Sequence, residues 1–366
     1  MRLALVHDEL LVPAGSERVF LAMVEEFPEA DIFTLSYNPA TTCPEFRRHA
    51  HRIRTTVANR FIRSHAVFKM AFPLATYVME SLDLRNYDVV LTSSAHVAKY
   101  VNKIKGRHIC YCYFPTRALW NPEPYFGQDR SFKVRAFRAL MPYLKRRDYA
   151  AAQRVDQFVA ISQSSRQAIL DFYHRDADVL FSPIDFDGFA AGRSEAKDDA
   201  YLLVSRLETW KRVDFAILAF NKLGRRLRIV GAGPEEAALR AMAGPTIEFI
   251  GRIGDAELVR EYGRARAVVF TPELEYGLVP LEANAAGTPV IALGRGGVLE
   301  TMREDLSAEF FYEQTPEALA EAVLRFEKRS FDRDALIEHA RPFGNAIFRK
   351  KLRALVENRP WKDIVA

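Results

Sequence analysis

The sequence predicts an α/β protein made of two doubly wound, Rossmann-like domains. Short apolar runs alternate with amphipathic segments along nearly the whole chain. Continuous apolar runs separated by helices are typical of parallel strands that are buried on both faces of a sheet. The runs form two successive series, and 366 residues are enough for two domains of ordinary size.

Each half of the chain supplies five predicted strands. They are Leu3–Val6, Ile32–Leu35, Val89–Thr92, His108–Cys112, Gln157–Ile161, Tyr201–Val204, Leu227–Val230, Ile247–Ile250, Ala267–Phe270 and Val290–Leu293. Helical patterns lie between them, for example at Glu17–Phe27, Ser164–Tyr173, Val213–Leu223, Asp255–Arg264 and Pro316–Phe326. The stretch Phe186–Asp199 has glycines and charges but no periodicity, so we place the boundary there. The predicted domains are 1–185 and 200–332, followed by a basic helical segment at 333–366 that begins with the pattern Arg333–Glu357.

The composition, 49% hydrophobic and 27% charged, is that of a soluble globular protein. No apolar run approaches the roughly 20 residues that a membrane-spanning helix needs. The N-terminus, Met1–His7, has the pattern of a strand and is too short for a signal peptide. We therefore expect a cytoplasmic protein. Cys43, Cys110 and Cys112 lack metal-ligand spacing, and the last two are predicted to be core thiols.

The positive charge of the chain is concentrated in its first half. Residues 1–180 hold 25 Lys and Arg against 18 Asp and Glu, whereas residues 181–366 hold 27 against 29. This asymmetry indicates an anionic partner for the first half, which could be nucleic acid, a membrane surface or a phosphorylated substrate. The segments Lys133–Arg147 and Arg60–Phe72 interleave cations with large apolar residues. That mixture fits a membrane surface or a solvated helix face better than nucleic-acid binding.

The most informative stretch is Thr271–Ile291. A buried strand is followed by an acidic loop, and Gly277 then opens a helix that carries Glu282. The free N–H groups and the dipole of a helix N-terminus attract phosphate. A carboxylate one turn further along can accept hydrogen bonds from sugar hydroxyls.

This stretch closely resembles the signature of the retaining glycosyltransferases of family four, which have the GT-B fold with two Rossmann-like domains facing a central cleft. The matching residues are Tyr276, Gly277, Glu282, Ala283, Ala285, Gly287, Pro289, Val290 and Ile291. The first Glu of the signature would fall on Leu274, which Glu273 and Glu275 flank.

The resemblance implies that the second domain binds a nucleotide sugar. Arg206 and Lys211 have the spacing of the diphosphate-binding Arg and Lys of the family, although taken alone they would pass for solvated loop cations. Glu282 is implied to hold the ribose, and Glu273 or Glu275 the sugar hydroxyls. The implied nucleotide-contacting set is Gly15, Gly231, Gly233, Arg252, Ile253, Tyr276, Gly277, Leu278, Val279 and Glu282. For Gly231 and Gly233, a tight strand-to-helix turn is an equally good explanation.

The segment His108–Trp120 resembles a motif of mannosyltransferase-like enzymes of O-antigen and capsule assembly. Cys110, Tyr111, Cys112, Pro115, Arg117 and Trp120 match, and Tyr113 replaces the active-site His of the motif. Tyrosine titrates near 10 and is a poor base at neutral pH, so Tyr113 is expected to orient substrate. His96 lies in a nearby segment that also resembles this branch, but a lone histidine is more often structural.

A tempting metal motif, Asp185-Phe-Asp187, lies in the predicted boundary region rather than after a nucleotide-binding strand. Helix capping or loop hydrogen bonding explains it, and we expect no catalytic metal.

The expected protein is a metal-independent hexosyltransferase. It would move a sugar, mannose in the branch resembled, from a GDP- or UDP-linked donor to a glycan or polyprenyl-diphosphate-linked acceptor with retention. The setting would be surface polysaccharide or lipopolysaccharide biosynthesis at the cytoplasmic face of the membrane, with the terminal helix crossing back to the first domain. The expected catalytic residues are Arg206, Lys211, Tyr113, Glu273 and Glu275.

Two other functions are compatible with the departures at Leu274 and Tyr113. One is a non-catalytic GT-B protein that binds nucleotide or sugar, and the other is a nucleotide-sugar epimerase. The retained Arg206, Lys211 and Glu282 argue against the first, and the family-four signature argues against the second.

Overall fold

The computed structural model describes residues 1–123, 132–194 and 196–365. The chain divides into two compact units. The first comprises Met1–Ser182 with Phe348–Ile364, and the second is formed mainly by Pro183–Ile347. The second unit therefore extends beyond the predicted bounds of 200–332 on both sides, while the segment Phe348–Ile364 joins the first unit.

The described part of the first unit is a seven-stranded parallel sheet flanked by helices. Its strands are β1 Leu3–His7, β2 Asp31–Thr34, β3 Ile53–Thr55, β4 Val89–Ser94, β5 Arg107–Cys112, β6 Gln157–Ala160 and β7 Ala177–Val179. The helices are α1 Gly15–Glu26, α2 His65–Ser81, α3 Arg117–Trp120, α4 Phe132–Gln153 and α5 Gln163–Tyr173. The strand order is β3-β2-β1-β4-β5-β6-β7, so the winding direction reverses between β1 and β4.

The second unit repeats this architecture with six strands within its described residues. They are β8 Tyr201–Val204, β9 Leu227–Val230, β10 Ile247–Gly251, β11 Val268–Phe270, β12 Val290–Leu293 and β13 Ala308–Phe311. Its helices are α6 Phe186–Ala190, α7 Val213–Leu223, α8 Glu236–Met242, α9 Asp255–Arg264, α10 Leu278–Ala285, α11 Val298–Thr301, α12 Pro316–Phe326 and α13 Arg333–Ala340. The order β10-β9-β8-β11-β12-β13 reverses between β8 and β11.

The two doubly wound domains predicted from periodicity are confirmed, and three strands were missed. These are β3, β7 and β13, and each lies at the edge of its sheet. An edge strand pairs on one side only and can be short. Runs of three or four residues, such as Ile-Arg-Thr in β3, are too brief to show a period.

The helical pattern predicted over Arg333–Glu357 is divided in the structure into two helices. Helix α13 ends at Ala340, a short 3-10 turn occupies Arg341–Phe343, and α14 then spans Asn345–Val356. Pro342 has no N–H to donate to the preceding turn, which favours a break here, although Pro73 and Pro142 lie inside α2 and α4.

From Phe348 onward, the terminal segment packs on the first unit. The Arg107 guanidinium donates to the carbonyl of Leu355 at 2.6 Å, and the rings of Tyr111 and Phe348 meet edge to face. The guanidinium of Arg353 pairs with the carboxylate of Glu26 on α1. Polar and aromatic contacts thus fix this segment against its sheet.

A buried ion pair lies in the interior of the first unit. The ammonium of Lys99 is 2.8 Å from the carboxylate of Asp148, and both side chains are almost completely buried. Asp148 also accepts hydrogen bonds from Tyr100, Thr116, Trp120 and Tyr173. Burial alone would lower the pKa of Lys99 and raise that of Asp148, but the mutual attraction outweighs burial and reverses both shifts.

We expect Asp148→Asn to lower the free energy of unfolding by about 3–5 kcal/mol, because it leaves a buried ammonium without its counter-charge. The lowered pKa of Asp148 means that its contribution is present above the ordinary carboxyl pKa and is lost as pH falls through the folded value. The raised pKa of Lys99 means that its contribution is lost as pH rises through the folded value. Urea unfolding across pH measures both limits.

The matched control for this variant is Asp83→Asn. Asp83 pairs with Arg85 at the surface, with both side chains about half exposed. A solvent-exposed pair of this kind contributes little to stability, because water and salt screen it. A cost for Asp148→Asn no greater than that for Asp83→Asn would show that the buried pair does not stabilise the fold.

Candidate active site

The candidate site lies at the carboxyl ends of β8 and β11, which are neighbours in the second sheet. The chain winds away from this pair of strands in both directions, so their ends form a topological switch point. Open α/β sheets bind ligands in the crevice outside the strand ends at such a point. The loops that follow β8 and β11 carry most of the predicted donor-site residues.

The loop after β8 holds both predicted cations. Arg206 is about half exposed, and its guanidinium lies 3.0 Å from the carboxylate of Glu208. Lys211 ends the 3-10 turn Thr209–Lys211, and its ammonium lies 4.0 Å from the ring centroid of Trp210. The Arg206 guanidinium lies 5.8 Å from the same ring. The structure therefore brings the two cations together around one indole.

A hydrogen bond ties this loop to the neighbouring strand. The buried hydroxyl of Thr271, just past the end of β11, donates to the carbonyl of Lys211 at 2.7 Å. The cationic loop and the acidic loop that begins after Thr271 are thus fixed side by side. Sequence reasoning did not find this contact, because it joins residues 60 positions apart.

Helix α10 follows the acidic loop and carries Glu282 in its second turn. Glu282 is about nine-tenths buried, and the phenol of Tyr262 on α9 donates to its Oε2 at 2.7 Å. This bond fixes the orientation of the carboxylate. Gly277 caps the helix, and a Cβ there would come within 2.8 Å of the Phe270 ring. The close approach to Phe270 accounts for glycine at position 277.

Leu274, the departure from the family signature, has a structural explanation. Its side chain packs against the apolar cluster on this side of the second sheet. Its carbonyl accepts a hydrogen bond from the N–H of Gly297 at 2.8 Å. The backbone passes so close to Gly296 and Gly297 that a Cβ at either would overlap a carbonyl oxygen. The loop is thus fixed by apolar packing and backbone contacts, with Glu273 exposed and Glu275 half-buried beside it.

The glycine turn after β9 is explained by close packing against the β8 loop. Gly231 has a φ of 132°, and a Cβ there would lie 1.9 Å from the carbonyl oxygen of Ser205. At Gly233 the nearest atom would be the carbonyl oxygen of Leu207, at 2.2 Å. Both glycines therefore have a structural role, and nucleotide contact through them remains a prediction. Arg252 is exposed beyond β10, and Ile253 packs on the same apolar cluster as Leu274.

The remaining nucleotide-contacting residues predicted from the resemblance lie close in sequence to these elements. Tyr276, Leu278 and Val279 are half-buried around the start of α10 and pack on the cluster that holds Leu274. They lie on the same loop and helix start as Gly277. In the first unit, Gly15 is the first residue of α1.

Tyr113 lies in a polar network inside the first unit. Its hydroxyl donates to the carbonyl of Ser16 at 2.9 Å and lies 3.0 Å from the hydroxyl of Ser93. Ser93 in turn contacts the ring of His7, also at 3.0 Å. Burial raises the pKa of Tyr113 well above its ordinary value, so the phenol stays protonated at neutral pH. Its contacts connect the end of β5 to the start of α1.

Asp8, which sequence reasoning missed, occupies the switch point of the first sheet. Its carboxylate accepts four backbone hydrogen bonds, at 2.6–2.9 Å, from the consecutive N–H groups of residues 95–98. These residues follow β4, the strand next to β1. Among them, burial lowers the pKa of His96 to about 4, a shift that Asp8 opposes. The His96 ring is therefore neutral at physiological pH.

A second acidic residue, Glu9, is buried beside Asp8. One carboxylate oxygen of Glu9 contacts the ring of His65, and burial raises the pKa of this carboxyl.

Asp185 accepts a hydrogen bond from the N–H of Gly188 at 3.3 Å and so caps α6, as predicted. Within residues 1–123, 132–194 and 196–365, no group of three or more His, Cys, Asp or Glu side chains is arranged to hold a metal ion. Cys43, Cys110 and Cys112 are all buried free thiols.

Comparison with known proteins places this site in a class. Residues 189–343, the bulk of the second unit, match the family model of glycosyl transferases group 1. Solved structures that align with nearly the whole chain have the GT-B fold of two Rossmann-like domains, and this protein shares it. The protein is thus a glycosyltransferase with the GT-B fold.

Particular relatives narrow the comparison. The chain is 26% identical over 370 residues to human alpha-1,3/1,6-mannosyltransferase ALG2, an alignment that covers 88% of this chain and 86% of the relative. The structure of Anabaena HepE in complex with UDP-glucose superposes with a TM-score of 0.73 at 16% identity, covering 98% of this chain and all of that one. The structure of sucrose-phosphate synthase from Thermosynechococcus elongatus superposes with a TM-score of 0.72 at 17% identity. The alignment covers 98% of this chain and 99% of that one.

We expect Tyr113→Phe to lower the free energy of unfolding by about 1 kcal/mol, because it removes the hydrogen bond to the Ser16 carbonyl. The pH profile of transfer should keep its shape, since a phenol with a raised pKa is not the titrating base. Thermal unfolding and a pH–rate profile measure the two effects. Loss of one limb of the profile in the variant would assign Tyr113 a proton-transfer role instead.

Proposed function

We propose that this glycosyltransferase moves a hexose from a nucleoside diphosphate sugar to a glycan or lipid-linked acceptor, with retention of anomeric configuration. The observation that carries the proposal is the arrangement at the switch point of the second unit. Arg206 and Lys211 follow β8, and the N-terminus of α10 follows β11, the strand beside it. Two cations and a helix N-terminus converging on the same strand ends suit a diphosphate.

The chemistry follows from where charge develops. As the bond between the anomeric carbon and the diphosphate breaks, negative charge accumulates on the leaving phosphate oxygens. The side chains of Arg206 and Lys211 stabilise that charge, and the amide groups at the start of α10 add to their effect. Stabilisation by fixed positive charge needs no metal ion in this proposal.

The remaining donor contacts are assigned by chemistry and position. Glu282, oriented by Tyr262, accepts hydrogen bonds from the ribose hydroxyls. Glu273 and Glu275 lie on the loop between β11 and α10, and one of them binds the sugar hydroxyls in place of the acid replaced by Leu274. Tyr113 orients the acceptor side of the reaction.

The donor sugar we favour is mannose, and the base is guanine or uracil. Similarity to a mannosyltransferase over most of the chain supports the sugar, and the structure of HepE, which has the same fold, in complex with UDP-glucose supports uracil as one candidate base. A polyprenyl-diphosphate-linked acceptor would suit the positive charge of residues 1–180. We assign the reaction to surface polysaccharide assembly because of the motif around Cys110–Trp120.

We also propose that the first unit rests on the cytoplasmic face of a membrane. Helix α2 exposes a stripe of Val67, Met70, Leu74 and Tyr77 at helical spacing, and a contact between the hydroxyls of Tyr77 and Tyr143 joins it to α4. Exposed cations lie on α2 at Lys69 and on α4 at Arg135, Arg138 and Arg146, and Arg60 and Arg63 lie just before α2. An apolar stripe bordered by cations fits an anionic lipid surface. None of the helices in the described ranges is long and apolar enough to cross a bilayer.

We expect Lys211→Ala to weaken binding of UDP or GDP, whichever the protein binds, by about tenfold, because it removes one of two charge-assisted contacts to the diphosphate. A thermal-shift panel of nucleoside diphosphates and nucleotide sugars identifies the ligand first, since a ligand of the folded state raises Tm. Isothermal titration calorimetry then measures the dissociation constant of that ligand for the wild type and for Lys211→Ala.

Lys222→Ala is the control, because Lys222 is an exposed cation of the same unit whose ion pair with Glu317 is long, at 3.9 Å. Equal affinities for the wild type, Lys211→Ala and Lys222→Ala would remove Lys211 from the site.

Analysis of the reaction products distinguishes a glycosyltransferase from an epimerase. Sugar transfer to an acceptor supports the proposal, whereas acceptor-independent interconversion of the nucleotide sugar would indicate an epimerase.

We expect the double variant Met70→Ser, Leu74→Ser to lose most binding to vesicles that contain an anionic phospholipid. These two side chains are about two-thirds exposed on the apolar stripe. Sedimentation at low and high salt measures the association, and the wild type should bind less as salt screens its cations. Leu170→Ser, an exposed leucine on α5, is the control. Unchanged binding of the double variant would show that α2 is not the contact.

A further inference from the structure

We propose that Trp210 and Glu208 are positioning residues for the diphosphate site, holding Arg206 and Lys211 as a pair that faces one ligand. This inference rests on the proposed function, in which those two cations bind the donor diphosphate. Neither Trp210 nor Glu208 belongs to the set predicted from the family resemblance.

The indole of Trp210 contacts both cations. The Lys211 ammonium lies 4.0 Å from the ring centroid and the Arg206 guanidinium 5.8 Å from it. The face of an indole carries partial negative charge and attracts cations within about 6 Å of its centroid. One neutral side chain thus attracts two like charges that would otherwise repel each other.

Glu208 connects the ring to Arg206. One carboxylate oxygen lies 3.0 Å from the Arg206 guanidinium, and the other accepts a hydrogen bond from the indole N–H of Trp210. A single carboxylate therefore fixes both the direction of the arginine and the orientation of the ring. Glu208 also neutralises one of the two positive charges, so Arg206, Lys211 and Glu208 together carry a net charge of one positive unit before an anionic ligand binds.

The backbone of the loop is fixed as well. The N–H of Glu208 donates to the carbonyl of Arg206 at 3.0 Å, and that of Lys211 donates to the carbonyl of Glu208 at 2.9 Å. Arg212 follows with a φ of 53°, a left-handed conformation that non-glycine residues adopt only where their surroundings enforce it. The hydrogen bond from Thr271 to the Lys211 carbonyl then joins the loop to β11. On this rigid loop, side-chain contacts decide where the cations point.

These observations predict different effects for two substitutions at one position. Trp210→Ala removes the ring and should raise the dissociation constant for UDP or GDP about five- to tenfold, in line with the strength of cation–π contacts at partly exposed sites. It should raise the KM for the nucleotide sugar by a similar factor and lower kcat less. Trp210→Phe keeps an aromatic face and should recover most of the affinity.

A substitution at the second positioning residue tests its charge. Glu208→Gln keeps the shape of the side chain and loses its charge, and it should change the KM for the donor rather than Tm.

Fluorescence offers a direct readout. The chain has three tryptophans, and the other two, Trp120 and Trp361, belong to the first unit. Saturating UDP or GDP should change the emission of the wild type, because a diphosphate that binds the two cations lying against Trp210 changes the electrostatic field at the indole. The change should be absent in Trp210→Phe even though calorimetry still detects binding.

The outcomes separate this inference from the proposed function. If the wild type binds neither nucleotide nor any nucleotide sugar, the proposed function fails. If the wild type binds, and Trp210→Ala binds equally well with an unchanged KM and an unchanged Tm, only the positioning role is overturned. If Trp210→Ala loses affinity and Trp210→Phe loses as much, the aromatic face is not what positions the cations, and the inference is again overturned.

Discussion

The buried pair of Lys99 and Asp148 is the interaction on which the first unit depends. Beyond the ion pair, the Lys99 ammonium donates to the carbonyl of His96 and to the hydroxyl of Thr116. The carboxylate accepts from four further side chains on three segments of the chain. Ordinary hydrophobic packing would fill this space without fixing the loop after β4, whereas a hydrogen-bonded charge pair specifies where each partner must lie.

The loops of the second unit are fixed in a different way. Its site side chains are largely at the surface, and the loops that carry them are fixed by close backbone packing. Gly231 and Gly233 let the β9 turn approach the β8 loop, and Gly296 and Gly297 let the β12 turn approach the acidic loop. Loops stacked in this way are fixed by backbone contacts, although the unit also contains a buried ion pair between Arg228 and Glu261. The charged side chains of the β8 loop are thus carried on a scaffold that is already rigid.

The alternation of apolar runs and helical patterns was sufficient to predict the two doubly wound sheets, because a strand buried on both faces consists of consecutive apolar residues. Motif spacing located Arg206, Lys211 and Glu282 on the loops and helix around one switch point. What could not be predicted depends on contacts between distant residues. Nothing local to Asp8 indicates that its partners are four amides nearly 90 positions away. Nothing local to Leu274 indicates that an apolar cluster receives its side chain.

Trp210 was missed for another reason. An aromatic residue in a stretch rich in charged residues is usually a partly exposed packing residue, and the sequence does not reveal that two cations and a carboxylate turn toward it. The break between the two terminal helices falls at Pro342, but Pro73 and Pro142 lie inside α2 and α4, so a proline alone does not reveal where a helix ends.

The carboxylate of Asp8 makes the two halves chemically unequal despite their shared topology. In the first half, the four consecutive N–H groups of residues 95–98 could otherwise bind a phosphate. They already donate hydrogen bonds to the carboxylate of Asp8. The two sheets therefore share a topology but differ at their switch points. An anion that approached the N–H groups of residues 95–98 would have to displace a carboxylate that is covalently part of the chain.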